Sequence, residues 1–299
     1  MGRCIVAHPE WSAAEAQAAD TLIALALAED LDHAGDLTSQ AVIPADGSGV
    51  ARFVARSAGV IAGLPIAAAV FARLDARCDF TPLVADGTAV AAGTVVAEVA
   101  GPLRALLTAE RTALNFVQRL SGIASLTQRF VAAVQGLPCQ VLDTRKTLPG
   151  WRRLEKYAVR CGGGTNHRQG LFDAVMLKDN HLAAIGGGAG AVRRGVDAAR
   201  AEYDRSVPIE VEVETFDQLD AALAAQPDII MLDNMDVGML RAAVARRDDQ
   251  APSVRLEASG GISLQNIRAV AETGVDLISI GALTHSAPAL DVALDFVRN

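Results

Sequence analysis

From residue 134 onward, short apolar runs alternate with longer stretches that are apolar on one face. The runs predict strands over residues 140–144, 174–177, 209–214, 229–232, 255–258 and 277–280. The stretches between them predict helices around residues 151–159, 189–203, 216–225, 237–246 and 264–272. The later strands recur about every 20 to 25 residues, the spacing of successive βα units. With right-handed crossovers this series gives a parallel sheet, closed or nearly closed as a TIM-like α/β barrel. An open doubly wound sheet is the runner-up, though no G-x-G-x-x-G follows a first strand.

The first half has another rhythm. Residues 15–30 predict a helix, with Ser12 and Glu15 spaced as a capping box. Asp36-Leu37-Thr38-Ser39 reads as a plain loop, with an Asx-type bond or a part in ligand approach as the alternatives. Strands predicted at 50–54, 59–62, 80–84, 89–91 and 94–99 are parted by glycine turns and surround one apolar helix at 64–75. That pattern predicts a small α+β domain. A helix at 103–118 links the halves and carries Arg111, either a solvated charge or a ligand group. The division expected is residues 1–117 for the first domain and 118–285 for the barrel, with the tail from 286 to 299 packing on the first.

Composition narrows the partners. A net charge of −8 over 299 residues, with a pI near 5.2, argues against nucleic acid. The start, MGRCIVAHPEW, lacks a long apolar h-region, and Val6 breaks the myristoylation pattern. The longest mostly apolar run, residues 59–72, is short of the roughly 20 needed to span a bilayer, so no membrane partner is expected. Cys4, Cys78, Cys139 and Cys161 are scattered with no C-x-x-C, as reduced thiols of a cytoplasmic protein would be. His8, His33 and His285 read as surface or packing residues, and Cys161, Trp11 and Trp151 as packing groups.

The chemistry gathers where the barrel strands end. Asp143, Thr144, Arg145 and Lys146 follow the first strand, and Lys178, Asp179, Asn180 and His181 the second, with Gly162 to Gly164, Asn166, His167 and Arg168 between them. Like charges at strand ends repel unless an anion joins them, so the stretch reads as an anion site. Glu210, Glu212 and Glu214 alternate with valines and share one face, which is inward in a barrel. Ionised carboxylates there need cations or pairing. Mg²⁺ prefers one or two carboxylates plus substrate phosphates, and Glu212 with Asp233 is the best pair for it. Ser259-Gly260-Gly261 ends a strand and is expected to open a helix, where free N–H groups favour a phosphate; Gly281-Ala282 is placed to join it.

The segments LTAERTALNFVQRLSGIAS, DTRKTLPGWRRLEKYAVRCGGGTNHRQGLFDAVMLKDNH, IEVEVE, IMLDNM, LEASGGI and ISIGALTHS, with EDLDHAGDLTS near the start, resemble the signature segments of quinolinate phosphoribosyltransferases. The resemblance implies an N-terminal α/β sandwich and a C-terminal incomplete α/β barrel. It implies transfer of phosphoribose from phosphoribosyl pyrophosphate to quinolinate with loss of CO₂, giving nicotinate mononucleotide in NAD biosynthesis, with Mg²⁺. Carried over by motif, Arg111 would complete the neighbouring site of a homodimer. Thr144, Arg145, His167, Arg168 and Lys178 would bind quinolinate. Lys146, Lys178, Glu212 and Asp233 would face the ribose and Mg²⁺–pyrophosphate, as the groups nearest the chemistry. Ser259, Gly260, Gly261, Gly281 and Ala282 would hold the 5-phosphate. The rivals are a transferase acting on another heterocyclic acid, a barrel lyase using Lys146 or Lys178 as a Schiff base, and a non-catalytic metabolite-binding protein.

Overall fold

A computed structural model of the chain describes residues 9–297; Cys4, Val6 and His8 lie outside them. The elements in chain order are α1 (Ala13–Leu31), α2 (Leu37–Val42), β1 (Ser48–Ala55), β2 (Gly59–Val60), α3 (Leu64–Leu74), β3 (Asp79–Pro82), β4 (Ala89–Val90) and β5 (Val95–Pro102). They continue with α4 (Leu103–Ala133), β6 (Gln140–Leu142), α5 (Arg152–Cys161), β7 (Val175–Leu177), α6 (Asp179–Ala184), α7 (Gly188–Glu202), β8 (Ile209–Val213) and α8 (Phe216–Ala225). The last are β9 (Ile229–Asp233), α9 (Val237–Gln250), β10 (Arg255–Ser259), α10 (Ile267–Ala271), β11 (Leu277–Ser279), α11 (Ala282–His285) and β12 (Val292–Phe296). The chain forms two compact units. Among the described residues, one holds 9–128, 146–164 and 282–297, and the other 129–145 and 165–281. The single cut expected near 117/118 is therefore replaced by several crossings, because α4 runs past it and α5 belongs with the first unit.

In the first unit, an antiparallel sheet runs in the order β12-β1-β5-β3, and β2 pairs with β4. The tail residues supply β12, an edge strand beside β1. Helix α1 begins with the capping box that its sequence predicts: the Ser12 side chain accepts from the Glu15 amide, and the Glu15 carboxylate accepts from the Ser12 amide. Burial pushes the Glu15 pKa up, but hydrogen bonds from Ser12 and Arg160 outweigh it, and the net shift is downward.

Two local readings change. Asp36-Leu37-Thr38-Ser39 is no plain loop: Asp36 is the N-cap of α2, its Oδ1 accepting from the Ser39 amide at 2.9 Å. Helix α4 runs on past the predicted end at 118, through the small residues Ser121, Gly122 and Ser125. They are small because other backbone lies against them. Ser121 Oγ accepts from the Ala62 amide and Ser125 Oγ from the Val60 amide, satisfying donors at β2. A Cβ on Gly122 would run into the carbonyl oxygen of Pro288.

In the second unit, six parallel strands run in the order β6-β11-β10-β9-β8-β7. From β7 to β11 each strand pairs with its successor, and β11 then pairs with β6. The order never reverses, so the doubly wound alternative, which needs a reversal point, is excluded. The sheet is a TIM-like barrel left incomplete at one seam, between β6 and β7. Its wall is apolar: Val141, Ile209, Val211, Ile230, Leu232, Leu256 and Ile278 are buried. Among the described residues no helix is long and apolar enough to cross a membrane.

Gly122→Ala is expected to lower the urea unfolding midpoint by the equivalent of about 1–3 kcal/mol, the usual cost of forcing an extra methyl into packed structure. An unchanged midpoint would show that the Pro288 carbonyl yields freely.

Candidate active site

The seam of the barrel positions the most unusual groups in the second unit. After the glycines at 162–164, the chain returns along the free edge of β6. Thr165 bridges Leu142 in parallel, its amide donating to the Val141 carbonyl at 2.8 Å and its carbonyl accepting from the Asp143 amide at 3.2 Å. The buried Asp143 carboxylate then takes the His167 amide at 2.9 Å and the Asn166 Nδ2 at 2.6 Å. Period-2 geometry turns His167 into the barrel. Arg168 spans the rest of the seam, with Nη1 donating to the Ala174 carbonyl at 3.3 Å and Nη2 lying 3.2 Å from Met176 Sδ.

Inside the barrel, His167 Nε2 lies 3.0 Å from Glu210 Oε2 on β8 and 3.4 Å from Glu257 Oε2 on β10. Both carboxylates are buried, Glu257 completely. Burial pushes the Glu210 pKa up and the neighbouring Glu257 charge adds to it, against the opposing pull of His167. Burial lowers the imidazole pKa, but the two nearby carboxylates outweigh it and bring it up to about 10. Yet the Arg168 amide donates to Nδ1 at 2.8 Å. Those two facts conflict if both ring nitrogens carry protons. The amide contact decides between them, because Nδ1 cannot accept while protonated. The ring proton is therefore on Nε2.

Cations and acids stand at the C-terminal strand ends. Arg145 Nε is buried with no acceptor within hydrogen-bonding reach among the described residues. Burial lowers the Arg168 pKa, and the nearby Arg145 charge lowers it further. Lys178, which ends β7, pairs through Nζ with Glu212 on β8. Its amide donates to His181 Nδ1 at 3.0 Å, which turns the chain into α6. Asp233, half-buried at the end of β9, accepts from Asn234 Nδ2 at 2.6 Å. The Asn234 amide donates to the Ser259 carbonyl, and a Cβ on Gly260 would strike the Asn234 side chain. Gly260 and Gly261 have φ of 90° and 62°, so a left-handed turn follows β10 directly.

The second unit thus contains Thr144, Arg145, His167, Arg168, Lys178, Glu212, Asp233, Ser259, Gly260, Gly261 and Gly281. Arg111, exposed on α4, Lys146, exposed after β6, and Ala282, which opens α11, fall in the first. The expected helix start at Ser259-Gly260-Gly261 is corrected: α10 opens only at Ile267, after a loop that Asn266 closes through the Ser263 amide and the Gly261 carbonyl. What remains for an anion there is the backbone of the glycine turn. Glu214, expected on the inward face with Glu210 and Glu212, lies beyond the end of β8 and is exposed. Sequence reasoning missed Glu257, although a readable signal was present: Arg255, Glu257 and Ser259 alternate with Leu256 and Ala258, placing a carboxylate on an inward face.

A cavity of about 280 Å³ is lined by Leu142, Asn166, His167, Arg168, Glu210 and Arg255, among others. Gln140, Ile229, Arg255 and Leu277, the first residues of their strands, also border it. It opens at the N-terminal strand ends, opposite the ends that carry Lys178, Glu212, Asp233 and Ser259.

Sequence models of quinolinate phosphoribosyl transferase match this chain, the N-terminal domain at residues 36–121 and the C-terminal domain at 123–295. The chain belongs to the quinolinate phosphoribosyltransferase family. A relative from Mycobacterium leprae, named nicotinate-nucleotide pyrophosphorylase [carboxylating], is 48% identical over 94% of this chain and 98% of its own. A Nicotiana tabacum relative, a mitochondrial quinolinate phosphoribosyltransferase [decarboxylating], is 40% identical over 96% of this chain and 83% of its own. The solved nicotinate-nucleotide pyrophosphorylase of Francisella tularensis superposes with a TM-score of 0.87 at 41% identity, covering 94% of this chain and 96% of that one. That likeness places the barrel of this family member among structures of the same family.

Asp143→Ala would leave the His167 amide without its acceptor. It is expected to cost about 1–3 kcal/mol in urea unfolding, the penalty for a buried group left unsatisfied. Wild-type stability in this variant would show that water replaces the carboxylate.

Proposed function

We infer that this chain transfers the phosphoribosyl group of phosphoribosyl pyrophosphate to quinolinate and decarboxylates the product, giving nicotinate mononucleotide, CO₂ and pyrophosphate in NAD biosynthesis. It is a pentosyltransferase. The observation that carries the site assignment is the half-buried Arg145 guanidinium, whose inaccessible Nε has no acceptor among the described residues and which lies close enough to Arg168 to depress its pKa. Two guanidiniums in mutual repulsion at a barrel mouth form a site for an anion, and their planar forks suit carboxylates. Quinolinate brings two. Thr144 and Lys178 supply further donors, and His167 stands behind Arg168 in the barrel.

The pyridine nitrogen forms a bond to C1 of the ribose as the bond to pyrophosphate breaks. Positive charge on the ribose at that moment is stabilised by the carboxylates of Glu212 and Asp233. The nitrogen becomes a pyridinium, which stabilises the electron pair left on C2 when its carboxylate departs as CO₂; C2 then takes a proton. Positioning and charge supply most of the rate, with no single general acid or base required. Lys146 and Lys178 face the pyrophosphate, while Ser259, Gly260, Gly261, Gly281 and Ala282 hold the 5-phosphate by backbone and hydroxyl donors.

Mg²⁺ fits the donor set. Glu212 and Asp233 are hard oxygen ligands on adjacent strands, and two carboxylates leave room for substrate oxygens. When bound, the ion would neutralise charge on the departing pyrophosphate.

The active form we propose is a homodimer in which Arg111 of one subunit completes the site of the other. Its support is an exposed arginine on α4, together with the exposed apolar side chains of Leu171 and Phe172 in the second unit and of Leu37 and Val42 in the first. Such side chains are commonly covered at interfaces. We place the enzyme in the cytoplasm; Cys78, Cys139 and Cys161, all free thiols, are consistent with a reducing compartment.

Purified protein with Mg²⁺, phosphoribosyl pyrophosphate and quinolinate is expected to release nicotinate mononucleotide and CO₂, and to make nothing from nicotinate. Product from nicotinate would overturn the dicarboxylate reading. Arg145→Ala is expected to raise the quinolinate KM by about 10- to 100-fold, the worth of a lost hydrogen bond to a charged group. Mixing inactive Arg111→Ala and Arg145→Ala subunits is expected to restore activity, since a hybrid dimer holds one intact site. No recovery after subunit exchange would place Arg111 in its own subunit's site.

A further inference from the structure

Glu257 is a buried charge with little to hold it. Its side chain is wholly inaccessible, and neither carboxylate oxygen receives a hydrogen bond among the described residues. Among the described residues its one basic neighbour within 4 Å is His167 Nε2, at 3.4 Å. Burying a carboxylate against a single imidazole costs more than it returns in stability, and an apolar side chain of similar volume would pack there as well. The reason for a carboxylate lies in what it does to the ring.

The ring links two parts of the barrel. On one side Nε2 is gripped by Glu210 and Glu257, from β8 and β10. On the other, Nδ1 accepts from the backbone amide of Arg168 at 2.8 Å. That bond requires Nδ1 to be free of hydrogen, hence a proton on Nε2, where the two carboxylates hold it. The Arg168 side chain leaves this fixed amide to cross the seam to Ala174 and Met176. With both ring nitrogens engaged inside the protein, His167 acts on a ligand through Arg168.

We propose that Glu257 is a positioning residue for quinolinate recognition: with Glu210 it fixes the tautomer and orientation of His167, and His167 fixes the backbone from which Arg168 reaches the substrate. The proposal rests on the phosphoribosyltransferase reading above and assigns an origin for the aim of its arginine.

Glu257→Gln and Glu257→Leu in the full-length protein test it. Both are expected to keep or raise the Tm. Both are expected to raise the quinolinate KM by about tenfold, equivalent to about 1.4 kcal/mol, with the phosphoribosyl pyrophosphate KM unchanged within about twofold. In a His167→Ala background, Glu257→Gln is expected to add nothing, because the two act in series. An unchanged quinolinate KM, an equal effect in the His167→Ala background, or a fall in Tm with both KM values rising would overturn it. Ring ¹⁵N spectra give a readout apart from activity. Wild-type His167 should carry its proton on Nε2 alone, and Glu257→Gln should move both ring signals; unmoved signals overturn the proposal. Absence of quinolinate turnover in the wild type would overturn the proposed reaction, and the ring spectra would still decide whether Glu257 controls His167.

Discussion

An incomplete parallel barrel has two exposed backbone edges, and something must satisfy them. Here the free edge of β6 is met by Thr165, and the chain beyond it sends Arg168 to the carbonyl just before β7. The seam is closed by one short backbone pairing and one charged side chain in place of a further strand. That choice sets the character of the whole second unit. A regular strand there would have placed apolar residues against the interior. The segment from 165 to 168 instead puts an imidazole inside and a guanidinium across the gap, and Asp143, buried at the end of β6, ties the segment down through the His167 amide and Asn166.

Once those two groups stand at the seam, the acids elsewhere in the barrel become intelligible. Glu210 and Glu257 would be untenable in an all-apolar lumen; beside His167 they are tolerable. Glu212, one inward step along β8 from Glu210, has Lys178 instead. The chain as a whole carries a charge of −8, but this has little hold on Arg145, Arg168 and Lys178, the cations of the second unit proposed to meet the substrate. Long-range repulsion between the acidic surface and anionic substrates is screened within about 8–10 Å in physiological salt. The local cations then dominate recognition.

Much of this was legible in the sequence, and the parts that were not share a cause. The strands announced themselves because each is a short apolar run with a polar end, and the polar ends of β6 to β10 carry most of the site. The capping box at Ser12 and Glu15 is a local rule and was read locally. Helix α4 outruns the predicted 103–118, and only the backbone at 62 and 288, distant in sequence, shows why small residues continue a helix there. Asp36 was left in a loop because a six-residue helix has too little periodicity to declare itself. The helix expected after Gly261 starts late because Asn266 first closes a loop, a choice between local bonds that residue types alone do not settle. Glu257 is hard to single out because the polar end of its strand, Ser259-Gly260-Gly261, is the more conspicuous feature. The alternation that exposed Glu210 and Glu212 on β8 applies equally to Arg255, Glu257 and Ser259.

The 280 Å³ cavity at the opposite mouth follows from the same closure. Its rim is made by the first residues of four strands, where the only cation among Gln140, Ile229, Arg255 and Leu277 is Arg255. On the proposed reading, the cations and the acid pair that a dicarboxylate and a pyrophosphate ester need stand at the C-terminal ends, so space alone would misplace the reaction. The cavity exists because Thr165, Asn166, His167 and Arg168 fill a seam with side chains of uneven reach, which cannot seal the lumen as a strand's regular pleat would. The closure that admits charge to the barrel also leaves it hollow on the far side.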